Sequence, residues 1–203
     1  MGKGTGKEKK QFLLMTLSIL ICSLYERAGM LAGLLRELYS QIEECDATDK
    51  VEVLTLIDSR ERTTGSKRNE LYEKAMGLYS VSIDDDDSIP PYFIEELLKA
   101  CDSGADCFNQ NGTIDFDGKN ERKWCISIHN NHEEKTINGE VVYFRYPNHI
   151  TGIKSYLAKQ VLFPDIVIGE DYAWATELHK RKLLKSEYII EKPIYFYRYR
   201  SKK

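Results

Sequence analysis

Four consecutive aspartates, Asp84 to Asp87, close a short apolar run, Leu78 to Ile83, and precede the pair Pro90 and Pro91. Carboxylates this close repel one another unless positive charge sits among them. A divalent cation is the usual answer, because hard cations take oxygen ligands. A strand ending in acids at the edge of an α/β sheet is a common place to hold a metal–phosphate ligand. Nucleotide or phosphate chemistry is therefore the leading reading, and an acidic turn capping the next helix is the plain one. A second acidic pair, Glu170 and Asp171, follows Gly169 at the start of a helical pattern. A helix N-terminus favours the ionised carboxylate, yet acids there are also common caps.

These groups need elements to hold them. Leu13 to Cys22 is a continuous apolar run suited to a central parallel strand. Ala28 to Ile42 has helical spacing, with apolar residues at Met30, Leu31, Leu34, Leu35, Leu38 and Ile42. Val51 to Ile57 is a second strand ending at Asp58, and Lys67 to Leu78 a second helix. Leu78 to Ile83 is a third strand, and Tyr92 to Cys101 a third helix started by the prolines. The order β-α-β-α-β-α indicates a mostly parallel sheet with right-handed crossovers, an α/β fold.

The second half reads differently. Ala105 to Asn109, Trp124 to His129 and Val141 to Tyr146 suggest strands, with Asn138-Gly139 as a tight turn and Asn109 to Asn120 as a surface loop or a hairpin broken by Gly112 and Gly118. Lys154 to Gln160 suggests a short helix, Asp171 to Leu184 a longer one, and Tyr188 to Ile190 and Ile194 to Arg198 short apolar pieces. The expected layout is a flexible basic tail over 1–11 and a single domain over 12–203, split into a ligand-binding half, 12–108, and a second half, 109–203.

The chain has 203 residues, 42% hydrophobic and 30% charged, with a formal net charge of -3. That is ordinary for a soluble globular protein and provides no global positive field for nucleic acid or anionic membrane. The five cysteines are odd in number and lack a CxxC pair, which points to a reducing, cytoplasmic setting. The apolar run Phe12 to Leu24 is too short for a membrane span and is not followed by a signal-peptide cleavage site.

Four segments, in order, resemble family 2 glycosyltransferases of the GT-A fold: SILICSLYER at Ser18 to Arg27, VLTLID ending at Asp58, GSKRNELYEKAMGLYSVSIDDDDSIPPYF at Gly65 to Phe93, and IGEDYAWATEL at Ile168 to Leu178 followed by PIYFYRYR. The resemblance runs from about residue 12 to 200. It implies a nucleotide-sugar donor, a UDP-sugar, fixed at the C-terminal edge of the parallel strands. On that basis Asp58 meets the base, while Ser23, Tyr25 and Glu26 pack on base or ribose. Arg68 contacts phosphate or base; Lys67 shares that expectation or lies on a solvated face. Asp84 and Asp86 align with the DxD element. Asp86 is the implied ligand of Mn²⁺ or Mg²⁺, Asp84 contacts ribose or a metal-bound water, and Asp85 and Asp87 lend support. Asp171 is the implied base in an inverting transfer, Glu170 orients the acceptor, and Trp174 follows them.

Other residues stay open. His149 could touch the diphosphate, the metal or the acceptor, although a lone histidine is usually none of these. His129 and His132 have metal-like spacing but flank Asn130-Asn131 in a loop pattern. Tyr195, Tyr197, Tyr199, Arg198 and Arg200 alternate at strand spacing; they either fold over the donor or form an edge strand. The acceptor, whether polysaccharide, glycolipid, protein or modified nucleic-acid base, is not written in the composition. A nucleotidyl- or phosphoryl-transfer enzyme and a non-catalytic nucleotide-sugar-binding module are the competing classes.

Overall fold

The computed structural model describes residues 15–200. The expected basic tail and the beginning of the expected first strand lie outside the described residues. Strand β1 (Leu17–Leu24) is central, with β2 (Val51–Asp58) and β3 (Tyr79–Ser82) parallel on either side of it. Helix α1 (Ala28–Glu44) connects β1 to β2, α2 (Thr64–Lys74) connects β2 to β3, and α3 (Phe93–Asp102) follows β3. The expected β-α-β-α-β-α order is therefore present, in an α/β sheet flanked by helices.

β1 is buried on both faces, which is why its sequence is continuously apolar. Leu17, Ile19 and Ile21 join the cluster of α1 and α3, with Leu31, Leu34, Leu38, Phe93 and Leu97. Leu20 points the other way, into the cluster of α2 and the later helices, with Leu71, Tyr72, Trp174 and Leu178. The two-residue alternation of a strand assigns these faces. Gln41 is buried between α1 and α3. Its amide donates to the Pro90 carbonyl at 2.8 Å and accepts from the Ile94 N–H at 3.1 Å, satisfying a donor in the first turn of α3.

The second half extends this sheet with strands of mixed direction. They are β4 (Cys107–Phe116), β5 (Lys119–Ile126), β6 (Glu133–Ile137), β7 (Glu140–Arg145), β8 (Ile153–Lys154) and β9 (Glu187–Tyr199). The main path runs β2-β1-β3-β8-β4-β5-β7-β6, and β9 pairs with β4. Two short helical pieces differ in length: α4 (Ser155–Ala158) and α5 (Glu170–Arg181).

Several expectations shift. α2 begins before Lys67 because the Thr63 side chain caps it, accepting from the Ser66 N–H at 3.0 Å. Of the two alternatives for 109–120, the hairpin is the one present: the segment forms most of β4, the turn and the start of β5. Asp117 and Gly118 turn it, with φ of 56° and 74°, the left-handed pair that a two-residue hairpin needs. Gly112 does not break β4; a side chain there would run into Trp124 and the Tyr195 carbonyl. β6, polar and largely exposed, was not expected at all; Asn138-Gly139 does turn the chain, from β6 into β7. The two apolar pieces near the C-terminus are one 13-residue strand, β9, whose register against β4 shifts around Pro193. α5 stops at Arg181 because Lys182 takes the left-handed conformation, φ 51°.

Candidate active site

The C-terminal ends of β1, β2 and β3 converge, and side chains there form a dense network. At the end of β1, the Ser23 hydroxyl donates to Asp85 at 2.5 Å, and the Ser23 carbonyl accepts from Lys67 Nζ at 3.0 Å. Lys67 also reaches Asp58 Oδ1 at 2.9 Å. It is buried, so the solvated-face expectation for Lys67 is corrected: its ammonium ties β1, β2 and α2 together. Burial alone would raise the Asp58 pKa. The Lys67 hydrogen bond and the Arg60 and Arg62 N–H groups outweigh it and hold the carboxyl below its usual range. Both Asp58 oxygens are thus engaged within the chain. Tyr25 is exposed, and Glu26 pairs with Arg60.

The aspartate run is already supplied with positive charge. Asp84 accepts from Arg68 Nη2 at 2.8 Å and lies 3.2 Å from His149 Nε2. Burial pushes its pKa up, but the His149 and Arg68 charges and hydrogen bonds prevail and hold it well below the carboxylate range. Arg27 spans Asp85 at 2.8 Å and Asp86 at 3.0 Å. Asp87 accepts from the Tyr195 hydroxyl at 2.6 Å and the Arg198 N–H at 2.9 Å. Burial and the nearby Asp84 charge nonetheless push Asp87 up to about 8. The repulsion that suggested a bound cation is therefore relieved in large part by Arg27, Arg68 and His149. Arg27 carried no signal beyond its place in a polar turn.

Asp86 remains the member with oxygen to offer. Its carboxylate is 30% exposed with Arg27 its sole cationic partner among the described residues, and burial and its acidic neighbours raise its pKa. That excess negative potential and the all-oxygen chemistry suit a hard cation. No cluster of three or more acidic, histidine or cysteine side chains is arranged around a metal position among the described residues. One carboxylate completed by a ligand's phosphates is nevertheless the ordinary way Mg²⁺ is bound.

Gly169, at φ 85°, turns the chain into α5 and sets Glu170 and Asp171 in its first turn. The loop before it is pinned by Asn69, whose amide exchanges hydrogen bonds with the Phe163 carbonyl at 2.9 Å and the Phe163 N–H at 2.8 Å. A side chain at Gly65 would collide with the Pro164 carbonyl. Glu170 is buried, with Arg68 Nε 3.2 Å from its carboxylate. This corrects its assignment to acceptor orientation: it is a counter-charge for Arg68. Trp174 is also corrected. It is fully buried, stacks on Phe163 at 4.6 Å and donates its indole N–H to the Val161 carbonyl, so it is core.

Asp171 faces the opposite way, and His149 links it to the aspartate run. The His149 Nδ1 lies 3.5 Å from Asp171 Oδ2 without forming a hydrogen bond, while Nε2 meets Asp84. Asp84, Asp87, His149 and Asp171 line one cavity of about 470 Å³, walled also by Trp124, Tyr143, Arg145, Tyr195 and Tyr197. His132 lines the same cavity but packs on Tyr172 and Tyr146; His129 sits apart, near Glu187, so the pair is no metal site. Arg198 contributes its backbone N–H, and its side chain is exposed.

Residues 36–161 match the family model described as glycosyl transferase family 2. Among solved structures, S. aureus TarS 1-349 in complex with UDP-GlcNAc is similar at 14% identity and a TM-score of 0.57, covering 93% of this chain and 60% of that one. The same TarS fragment in complex with UDP is similar at 14% identity and a TM-score of 0.56, over 91% of this chain and 61% of that one. The chain thus spans about 60% of the length of that fragment, and at this identity the likeness speaks to the GT-A fold. No curated protein sequence matched. Among the described residues no helix is long and apolar enough to cross a membrane.

Proposed function

The chain belongs to glycosyltransferase family 2, and from that premise we propose that it moves a sugar from a UDP-sugar to an acceptor hydroxyl with inversion, in a single displacement. The observation that carries this reading is the shared cavity, in which Asp171 and Asp84 flank the same imidazole at 3.5 and 3.2 Å. Asp171 takes the proton of the acceptor hydroxyl as its oxygen bonds to the anomeric carbon. The bond from that carbon to the diphosphate oxygen breaks, and UDP leaves. Arg68 and Glu170 keep Asp84 and the start of α5 in fixed relation, so that base and donor edge hold their spacing. Ser23 and Lys67 fix the ends of β1 and β2 that would receive the nucleoside. Asp86 would hold Mg²⁺ or Mn²⁺, which when bound neutralises charge on the diphosphate. One neighbour in fold, the TarS fragment, was captured both with UDP-GlcNAc and with UDP, which makes UDP-GlcNAc the first donor to try.

The test is a product assay for UDP release from UDP-sugars, with and without added acceptors. Wild type turns over at least one donor. Asp171→Asn lowers transfer by about 10²- to 10⁴-fold, the range for a lost general base. Transfer at the wild-type rate by Asp171→Asn removes the base assignment. Release of pyrophosphate from a nucleoside triphosphate instead would move the chain to nucleotidyl transfer.

A further inference from the structure

The cavity that holds Asp171 has a wall with no counterpart in the aspartate network. Arg145, the last residue of β7, lies in that wall beside Tyr143 and Trp124. Its Nη1 donates to the carbonyls of Glu133 at 2.9 Å and Phe144 at 2.8 Å, and its guanidinium lies 5.0 Å from the centre of the Tyr143 ring. These contacts fix the plane of the fork while using one of its three nitrogens. No carboxylate pairs with Arg145 among the described residues, in contrast to Arg27 and Arg68. Glu134 lines the same cavity without forming an ion pair with it. Burial lowers the Arg145 pKa, partly offset by Glu134. A half-buried, oriented guanidinium with no carboxylate in direct contact among the described residues is suited to bidentate binding of a carboxylate or phosphate.

Basic side chains continue beyond it. Tyr146, next in sequence, stacks on His179 at 4.6 Å. Past that pair lies a second cavity of about 310 Å³, bordered by His129, His179, Lys182 and Lys185. Lysines after a helix end are an ordinary complement to its dipole, so Lys182 and Lys185 support the argument and Arg145 carries it.

We propose that the acceptor is anionic, and that Arg145 receives a phosphate or carboxylate carried by the acceptor beside the hydroxyl presented to Asp171. This rests on the proposed function, since it concerns the acceptor side of the same cavity. The donor diphosphate has its own cations at Arg27 and at the ion expected on Asp86, neither of which lines the Arg145 wall.

The experiment is calorimetric titration of acceptor probes into the full chain saturated with UDP and Mg²⁺. The probes are methyl glucoside (neutral), glucuronate (carboxylate) and glucose 6-phosphate (phosphate). Wild type binds one of the charged probes about tenfold or more tighter than the neutral one. Arg145→Gln brings that ratio to within about twofold while its UDP affinity stays at the wild-type value, and Arg145→Lys, which keeps the charge but loses the fork, falls between. The two charged probes distinguish phosphate from carboxylate. Equal wild-type binding of neutral and charged probes, no binding of either charged probe, or an undiminished preference in Arg145→Gln overturns the proposal. Should Arg145→Gln fail to fold, the wild-type ratio and the Lys variant decide. UDP binding without any anion preference sinks this inference alone; a wild type that does not bind UDP sinks the proposed function with it.

Discussion

The two walls of the cavity are built on opposite plans. On the β1–β3 side every aspartate of the run has a partner within the chain: Arg68 and His149 for Asp84, Arg27 and Ser23 for Asp85, Arg27 for Asp86, Tyr195 for Asp87. On the β4–β7 side a guanidinium is oriented by carbonyls and an aromatic ring, with no carboxylate in direct ion-pair contact among the described residues. A wall whose charges are mutually satisfied is preorganised, and its groups move little when a ligand arrives. A wall with unspent donors selects what binds there, because oriented donors that a wrong partner leaves unpaired discriminate between partners. The contrast fits the proposed pairing of a preorganised donor site with a selective acceptor site.

That contrast can be broken by mutation. The largest expected effect falls on Arg68. Arg68→Met leaves Asp84 and Glu170 facing each other without their shared cation. It should cost about 3–5 kcal/mol of stability, the usual result of breaking a buried charge network, read as a lower midpoint in urea unfolding. A change below about 1 kcal/mol would mean that the donor wall is not held by its ion pairs. Trp174→Ala should cost a comparable ~3–5 kcal/mol by emptying the core, and folded Trp174→Ala should still bind UDP with wild-type affinity. Weakened UDP binding by that folded variant would return Trp174 to the site.

Acid should act on the β1–β3 wall before the β6–β7 hairpin. The folded pKa values of Asp58 and Asp84 lie below the ordinary value of 3.8, so the stability they contribute is complete above that value and is lost as pH falls through their lower folded values. Asp87 has the opposite sign: with a folded pKa of about 8, it favours folding below 3.8 and that contribution disappears as pH rises through 8. Hydrogen exchange should therefore show β1–β3 losing protection below about pH 4, before the β6–β7 hairpin does. Simultaneous loss would contradict the division. The smallest effect belongs to that hairpin. Gly139 has φ 82°, and Gly139→Ala should cost about 1 kcal/mol with no change in UDP affinity.

The sequence made the donor wall legible because apolar runs, helix spacing and a string of acids are local patterns. β1, β2 and α1 fall within a few residues of where periodicity puts them, and Asp84 and Asp171 meet as two acidic patches in one cavity. The partners of those acids were not legible. Arg27 lies 58 residues from Asp85, and Arg68 is 102 from Glu170; nothing in local spacing selects them. Glu170 and Trp174 were misread because a helix start looks alike whether its side chains face a cavity or the core. β7 falls within one residue of its expected bounds, but β4, β5 and β6 were read poorly for another reason. Their strands are polar and half exposed, so alternation is weak, and the Asp117-Gly118 turn resembles a loop until its partner strands are known.

The most direct measurement is the affinity for UDP in the presence of Mg²⁺, by calorimetry, for wild type, Asp86→Ala and Asp171→Asn. Wild type and Asp171→Asn should bind alike, and folded Asp86→Ala should not bind measurably. Equal binding by all three would contradict a donor site at the aspartate run, and loss of binding in Asp171→Asn would contradict the separation of donor site from base.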